Sequence, residues 1–98
     1  MSTVFIKGGP KGGATVAAGQ VQLSTTSGTV RAARPGRKSI TIRNMDSSIS
    51  VYIGAGTVSS SNGFLLKAGE SVSVDTTAAV NGIAASGTPS VCFLETYD

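Results

Sequence analysis

The amino-acid sequence predicts an all-β protein: a small antiparallel β-sandwich or barrel of six to eight strands, with a flexible Gly-rich N-terminal arm. Three observations lead to this prediction. Short apolar runs alternate with polar residues at the period of a half-buried strand. The 98 residues include 13 Gly, 14 Ser and 11 Thr, which suit turns and strands better than helix interiors. Turn-forming residues recur roughly every eight to twelve positions, which is typical of sandwiches and barrels.

The clearest strand pattern runs over residues 38–54. Ile40 and Ile42 alternate with polar residues, and a polar break follows at residues 44–48. The alternation then resumes in a second apolar run, which consists of Ile49, Val51 and Ile53. Because Asn, Asp and Ser bond to their own backbone and favour turns, the two runs are predicted to form an antiparallel hairpin.

A second hairpin is predicted over residues 64–75, with Ala68-Gly69 as its turn and Val72 and Val74 on its core face. Residues 34–37, Arg-Pro-Gly-Arg, predict a type II turn, because Pro presets φ at its second position and Gly accepts the positive φ required at its third. The segment at residues 29–33 is predicted as a further short strand.

The N-terminal part divides at residue 13. Residues 1–13 are predicted to be a flexible arm, since Gly8-Gly9-Pro10-Lys11-Gly12-Gly13 disfavours regular structure, although residues 3–7 suit a short strand. Residues 14–98 are predicted to form a single β-sandwich domain. Within it, residues 14–24 form a weaker strand candidate that Gly19 interrupts.

The last two strands are predicted at residues 83–85 and 90–95. Val91 and Phe93 suit the core face of the final strand, but Cys92 and Leu94 make its opposite face apolar as well. An antiparallel strand with water on one side would alternate cleanly. Either another part of the fold or a second subunit is therefore expected to cover that face.

The residue inventory argues against catalysis. The chain has no His, which removes His-based triads and the usual general base near neutral pH. Cys92 is interpreted as a small apolar strand residue, and one cysteine cannot build a Cys-rich metal site. The carboxylates, Glu95 among them, are interpreted as solvated groups in turns and at the chain end. We therefore expect no enzyme activity, no cofactor and no metal.

Charge is distributed unevenly along the chain. Residues 1–43 carry seven basic residues and no acid, whereas residues 44–98 carry one Lys and five acids. Such asymmetry steers a molecule toward an acidic partner or toward copies of itself. The basic cluster at Arg31, Arg34, Arg37 and Lys38 suits a solvated turn or salt bridges to a neighbouring subunit. Nucleic acid ranks behind both, because few aromatics accompany the cluster. No membrane span or signal peptide is apparent. The one cysteine, Cys92, cannot form an internal disulfide, so synthesis in a reducing cytoplasm is expected.

From Ser39 onward the chain resembles small β-sandwich proteins of tailed bacteriophages. The motifs that carry the resemblance are structural, and they cover the C-terminal part of the chain. They are Ile-Thr-Ile-Arg-Asn at residues 40–44, Val-Tyr-Ile-Gly at 51–54, Ser-Asn-Gly-Phe-Leu-Leu at 61–66, Leu-Lys-Ala-Gly-Glu-Ser at 66–71, Val-Asn-Gly-Ile-Ala-Ala at 80–85, and a final strand at 91–98 that ends in acidic residues. Residues 1–35 match no pattern of this kind.

The resemblance implies a capsid decoration (cement) protein that binds the outer surface of the major capsid protein, stabilises the head and forms a homotrimer. It implies location on the virion after assembly in the host cytoplasm. The residues predicted to contact the capsid are Val4, Phe5, Lys7, Lys11, Arg34, Arg37 and Lys38. The residues predicted to contact other subunits are Phe64, Leu65, Leu94 and Tyr97.

A second hypothesis places the chain in a phage tail or fibre as a structural or glycan-binding module. Modules of that kind present exposed aromatic rings for stacking on sugars, and Tyr52 and Tyr97 are the candidates here. Two tyrosines are few for such a surface, so decoration of the capsid is preferred.

Overall fold

The computed structural model describes residues 14–98, which form eight β-strands and contain no helix. The all-β prediction is therefore confirmed, at the upper end of the predicted strand count. The strands are β1 (Thr15–Gln22), β2 (Gly28–Arg31), β3 (Arg37–Asn44), β4 (Val51–Gly54), β5 (Phe64–Leu66), β6 (Ser71–Val74), β7 (Val80–Ala84) and β8 (Ser90–Tyr97). The predicted arm, residues 1–13, and the strand candidate within it lie outside the described residues.

The strands form two four-stranded antiparallel sheets. Sheet A has the order β1-β8-β3-β6, and sheet B has the order β2-β7-β4-β5. This arrangement of eight strands in two sheets is the topology of a jelly roll. The chain changes sheet at nearly every connection. Among the eight described strands, only β4 and β5 are consecutive and pair with each other.

The core lies between the two sheets. Ile40, Ile42 and Val51 have no exposed surface, and they come from both sheets. The buried apolar cluster consists of Leu23, Val30, Ile40, Ile42, Val51, Ile53, Leu66, Val80, Ala84, Val91 and Phe93. Ile40, Ile42, Val51 and Ile53 of the predicted strands therefore point inward as expected. Ile49 lies outside the strands, and Val74 is 42% exposed at a sheet edge.

Both predicted hairpins are wrong. β3 and β4 lie in opposite sheets, and so do β5 and β6. The predicted bend at Ala68-Gly69 exists, since Gly69 has a φ of 79° and the Glu70 amide donates to the Lys67 carbonyl. The chain nevertheless crosses from one sheet to the other there. A two-residue period shows which face of a strand is buried, but it does not show which sheet the strand joins.

A buried asparagine stabilises the two crossings. The Asn44 side chain donates to the carbonyls of Ile49 (2.8 Å) and Leu66 (3.1 Å) and accepts from the Asp46 amide. Asp46 in turn accepts from the amides of Ile49 and Ser48, which lowers the pKa of its carboxyl group. One side chain thus connects the β3–β4 corner to the end of β5.

The loop between β4 and β5 folds back over the outer face of sheet B. Val58 in this loop is 2% exposed although it lies outside the main core cluster. Its amide donates to the Ser27 hydroxyl, and the Asn81 side chain donates to the Gly56 carbonyl. The loop therefore covers part of a face that would otherwise be open to water.

The predicted turn at residues 34–37 is confirmed. Gly36 has a φ of 84°, and the Arg37 amide donates to the Arg34 carbonyl over 3.2 Å. This turn lies at one end of the sandwich, together with the 75–79 loop, the start of β1 and the C-terminal Asp98. We call this the arginine end.

The predicted interruption at Gly19 is wrong, because β1 continues through it. Gly19 pairs with Phe93 on β8, and a Cβ atom at Gly19 would lie 2.8 Å from the Phe93 ring. The Arg31 guanidinium lies 4.6 Å from the centroid of the same ring. The glycine is thus a place where an aromatic ring packs directly on the strand backbone.

Gly19→Ala should destabilise the protein by about 1–3 kcal/mol, because the added methyl group displaces a ring that Arg31 also contacts. Chemical denaturation monitored by circular dichroism measures this change. Gly28→Ala is the matched control, since no atom lies within 4 Å of its new methyl group and its effect should be within about 0.5 kcal/mol. Equal losses in both variants would contradict the packing role of Gly19.

Candidate interaction surface at the arginine end

Glu95 is a buried carboxylate at the arginine end. It shares the core-facing parity of Val91 and Phe93 on β8, and it has no exposed surface. Leaving an ionised carboxylate unpaired in such a place would be costly. Three arginines therefore surround it, with nitrogen to oxygen distances of 2.7 Å (Arg31), 3.2 Å (Arg34) and 2.8 Å (Arg37).

Arg37 is the innermost of the three arginines, and its side chain is fully buried. Besides Glu95, its guanidinium donates to the carbonyls of Ala32, Thr76 and Ala78. These carbonyls belong to the β2–β3 and β6–β7 connections. Arg37 therefore joins sheet A to the two loops at this end of the molecule.

Arg31 and Arg34 form the outer layer of the cluster, and about a third of each side chain is exposed. Arg31 makes two hydrogen bonds to Glu95 Oε2 and lies over the Phe93 ring. The Arg34 guanidinium lies 3.8 Å from the centroid of the Tyr97 ring. Stacking on the rings orients both guanidinium groups and adds cation–π attraction.

The charges of the cluster do not cancel, because three guanidinium groups face one carboxylate. Burial raises the pKa of Glu95, but the hydrogen bonds and charges of Arg31 and Arg37 outweigh it and hold that pKa below its ordinary value. The hydrogen bond to Glu95 raises the pKa of Arg31. The four side chains of the cluster therefore have a net charge of +2. Lys38, Asp75 and Asp98 at the same end add one positive and two negative charges.

Two expectations from the sequence are wrong here. Glu95 is not a solvated group at the chain end, and Arg37 is not part of a solvated turn, because the two bury each other. The salt bridges of the basic cluster form within the chain. The parity of Glu95 with Val91 and Phe93 was the signal for its burial, although nothing in the sequence identified its partners.

The structure places the predicted capsid-contact residues of the described part at one end. Lys38 is 43% exposed and pairs with Asp98 over 3.2 Å, and Arg34 is partly exposed nearby. Arg37 lies beneath them and has no surface to offer a partner. The remaining predicted contacts, Val4, Phe5, Lys7 and Lys11, lie outside the described residues.

The predicted subunit contacts lie on different sides of the sandwich. Phe64 and Leu65 are on the edge strand β5, and they are 60% and 41% exposed. Leu94 lies on the outer face of sheet A beside Ala18 and Thr41, and Tyr97 lies at the arginine end. Leu94 and the neighbouring Cys92 are half-buried, and the covering of this face by a second subunit stays a prediction.

An apolar groove opens between the edge strands of the two sheets. We call it the β5–β6 groove, and its volume is about 400 Å³. Phe64 and Val74 at its rim are 60% and 42% exposed. Its lining comprises Ile53, Gly54, Ala55, Phe64, Val72, Ser73, Val74, Thr76, Ala78, Ala79 and Val80, none of which is charged.

Over residues 14–98, no group of three Cys, Asp or Glu side chains is placed to hold a metal ion. Cys92 is a free thiol on the outer face of sheet A. The same part of the chain includes no helix long and apolar enough to cross a membrane. What the described surface offers is a partly exposed arginine cluster and an apolar groove.

Comparison of the chain with models of protein families, with curated proteins and with solved structures found no match.

Arg37→Met should destabilise the protein by about 3–5 kcal/mol, because it leaves a buried carboxylate without its innermost partner and three loop carbonyls without a donor. Arg34→Met is the matched control, since this outer arginine contacts Glu95 only through Nε and keeps about a third of its surface exposed. Its loss should be about 1 kcal/mol. Urea denaturation at pH 7 measures both, and a loss for Arg37→Met no larger than for Arg34→Met would contradict the anchoring role.

Glu95 should also make stability depend on pH. Because its pKa is lowered in the folded state from an ordinary 4.5, its contribution is complete above that value and declines as the pH falls through the folded pKa. Asp46 contributes in the same direction. Urea midpoints between pH 6 and about 3 should decline less steeply for Glu95→Gln than for the wild type. Asp98→Asn, which removes a surface carboxylate at the same end, should keep the wild-type decline. An unchanged decline in Glu95→Gln would contradict this assignment.

Proposed function

We propose that this chain is a structural protein of a tailed-phage virion: a decoration protein that binds the outer surface of the major capsid protein and stabilises the head. The resemblance of residues 40–98 to small phage β-sandwich proteins suggests the class. The jelly-roll topology agrees with it, since viral capsid domains use this architecture. That agreement is an analogy of fold, and the function itself depends on the surface.

The observation that carries the proposal is the convergence of features at the arginine end. Arg34 and Lys38 are partly exposed there, over the buried and hydrogen-bonded Arg37. Strand β1 begins at the same end, so residues 1–13 are joined to the sandwich there. A rigid charged platform beside an N-terminal segment is suited to docking on a large partner. Weak contacts suffice, because many copies act on one shell.

The positions of the predicted subunit contacts suit a ring of subunits better than a twofold dimer. Leu65 lies on the outer face of sheet B and Leu94 on the outer face of sheet A, which are opposite sides of the sandwich. A twofold interface uses the same patch on both subunits, whereas a ring uses two different patches. A trimer would therefore bring the β5 edge of one copy against sheet A of the next.

The alternative function is a tail or fibre module that binds glycans, which the lectin use of jelly rolls favours. The tyrosine rings argue against it. Tyr52 is only partly exposed beside the folded-back β4–β5 loop, and Arg34 covers one face of the Tyr97 ring. If this alternative is correct, Tyr52→Ala should abolish binding on a glycan array.

The proposal predicts that purified protein occupies symmetry-related positions on heads that lack it, as imaged by cryo-electron microscopy. Lys38→Glu should weaken binding at least about tenfold, which corresponds to about 1.4 kcal/mol, and the loss should shrink at high salt. Lys67→Glu is the matched control, because it makes the same charge change at the opposite end of the sandwich.

If heads incubated with saturating protein show no added density, the proposal is overturned, and binding to phage tails should be tested next. Equal weakening by Lys38→Glu and Lys67→Glu would remove the arginine end as the attachment surface.

A further inference from the structure

The β5–β6 groove exposes apolar surface that a second layer of chain would cover. β5 and β6 are the last strands of their sheets on this side, so each has one edge without a neighbour among the described strands. Phe64 has the core-facing parity of Ile53, with which it pairs, yet it is 60% exposed because no strand within residues 14–98 lies beyond it. Val74 is similarly 42% exposed at the edge of sheet A.

The residues that precede β1 contain a matching apolar segment. Val4-Phe5-Ile6 is a run of three large apolar residues. It is separated from β1 by a linker in which four of eight residues are glycine, Lys7-Gly8-Gly9-Pro10-Lys11-Gly12-Gly13-Ala14. The run is therefore apolar, like the lining of the groove, and the Gly-rich residues that follow it suit a connection between two elements.

The distance from β1 to the groove is within reach of this linker. β1 and β6 are the two edges of sheet A, separated by three strand spacings, or roughly 14 Å. The start of β1 and the Val74 end of β6 both lie toward the arginine end, as the pairings Thr15–Tyr97, Arg37–Tyr97 and Ile40–Val74 show. The eight linker residues span up to about 28 Å when fully extended, which exceeds the separation.

We propose that Val4–Ile6 packs into the β5–β6 groove of its own chain and covers Phe64 and Val74. The groove lining carries no charge, so the apolar run enters without burying a charged partner. Asp75 follows Val74 at the rim, and Lys7 follows the apolar run, so the charges at the groove mouth are complementary. The inference concerns the isolated protein and does not rest on the proposed function.

Occupation of the groove would govern when the segment is available to another molecule. A segment that binds its own groove must leave it before it contacts any other molecule. Its apparent affinity for that molecule equals the intrinsic affinity multiplied by the fraction of chains in which the segment is released. The groove would thereby keep three apolar side chains out of water until a partner competes for them.

Disulfide trapping tests the proposal on the full-length chain. In a Cys92→Ser background, Phe5→Cys is combined with Val74→Cys at the groove rim. The control pair combines Phe5→Cys with Lys38→Cys, because Lys38 has a similarly exposed side chain and lies closer to β1. Under mild oxidation the groove pair should form an intramolecular disulfide at least about tenfold faster than the control pair, as docking raises the local concentration.

Three results would overturn the proposal. Equal rates for the two pairs would show a segment without a preferred position. Faster trapping of the control pair would place it near the start of β3 at the arginine end. A disulfide that forms mainly between two chains, seen as a dimer on a non-reducing gel, would make a second copy the occupant.

Nuclear magnetic resonance gives a test that does not require engineered cysteines. Amide resonances of Val72, Val74 and Ala79 should shift between the full-length protein and a variant lacking residues 2–13, whereas those of Lys67 and Ser86 at the opposite end should not. Phe5→Asp should reproduce the deletion spectrum, and the control Ser2→Asp should not. Unchanged groove resonances would contradict the proposal. Neither test involves capsids, so its outcome is separate from that of the decoration proposal.

Discussion

The pairing of Glu95 with three arginines is the interaction on which the arginine end of this molecule depends. A carboxylate in the core is stable only if every oxygen is paired, and here both oxygens have partners. The cost of burying these charges is offset by hydrogen bonds that also connect β3, β8 and two loops. Such a cluster adds little net stability over an apolar core, but breaking it is costly. Its contribution is therefore the specific position of the loops and of the exposed arginines.

The two ends of the sandwich achieve the same result by different chemistry. At the arginine end, the charged Arg37 side chain satisfies loop carbonyls. At the opposite end, the neutral Asn44 side chain joins the β3–β4 corner to the end of β5. A jelly roll requires such side chains, because most of its connections cross between sheets and cannot close with the backbone ladder of a hairpin. The buried polar residues occur at the crossings for this reason.

The position of the surfaces follows from this architecture. Closing most of the core between two sheets leaves an opening where the edge strands β5 and β6 do not meet, and the apolar groove is that opening. The arginine cluster leaves a positive charge at the end from which β1 begins. Both proposals assign a role to the N-terminal segment. Val4 and Phe5 cannot contact a capsid and cover the groove at the same time.

The sequence by itself determined the class of fold, the inward face of most strands and the turn at residues 34–37, because alternation and turn chemistry are local properties. It also placed Val91 and Phe93 in the core, and the same parity extended to Glu95. The tertiary structure decided the pairing of strands. Ile42 and Ile53 have the same pattern in either a hairpin or a sandwich, and only packing across the core places them in opposite sheets. The tertiary structure also decided that β1 continues through Gly19, because the Phe93 ring of β8 packs on the strand there. It decided that Arg37 is buried, because its partner Glu95 lies 58 residues away in the sequence. The two residues meet only after β3 and β8 pair.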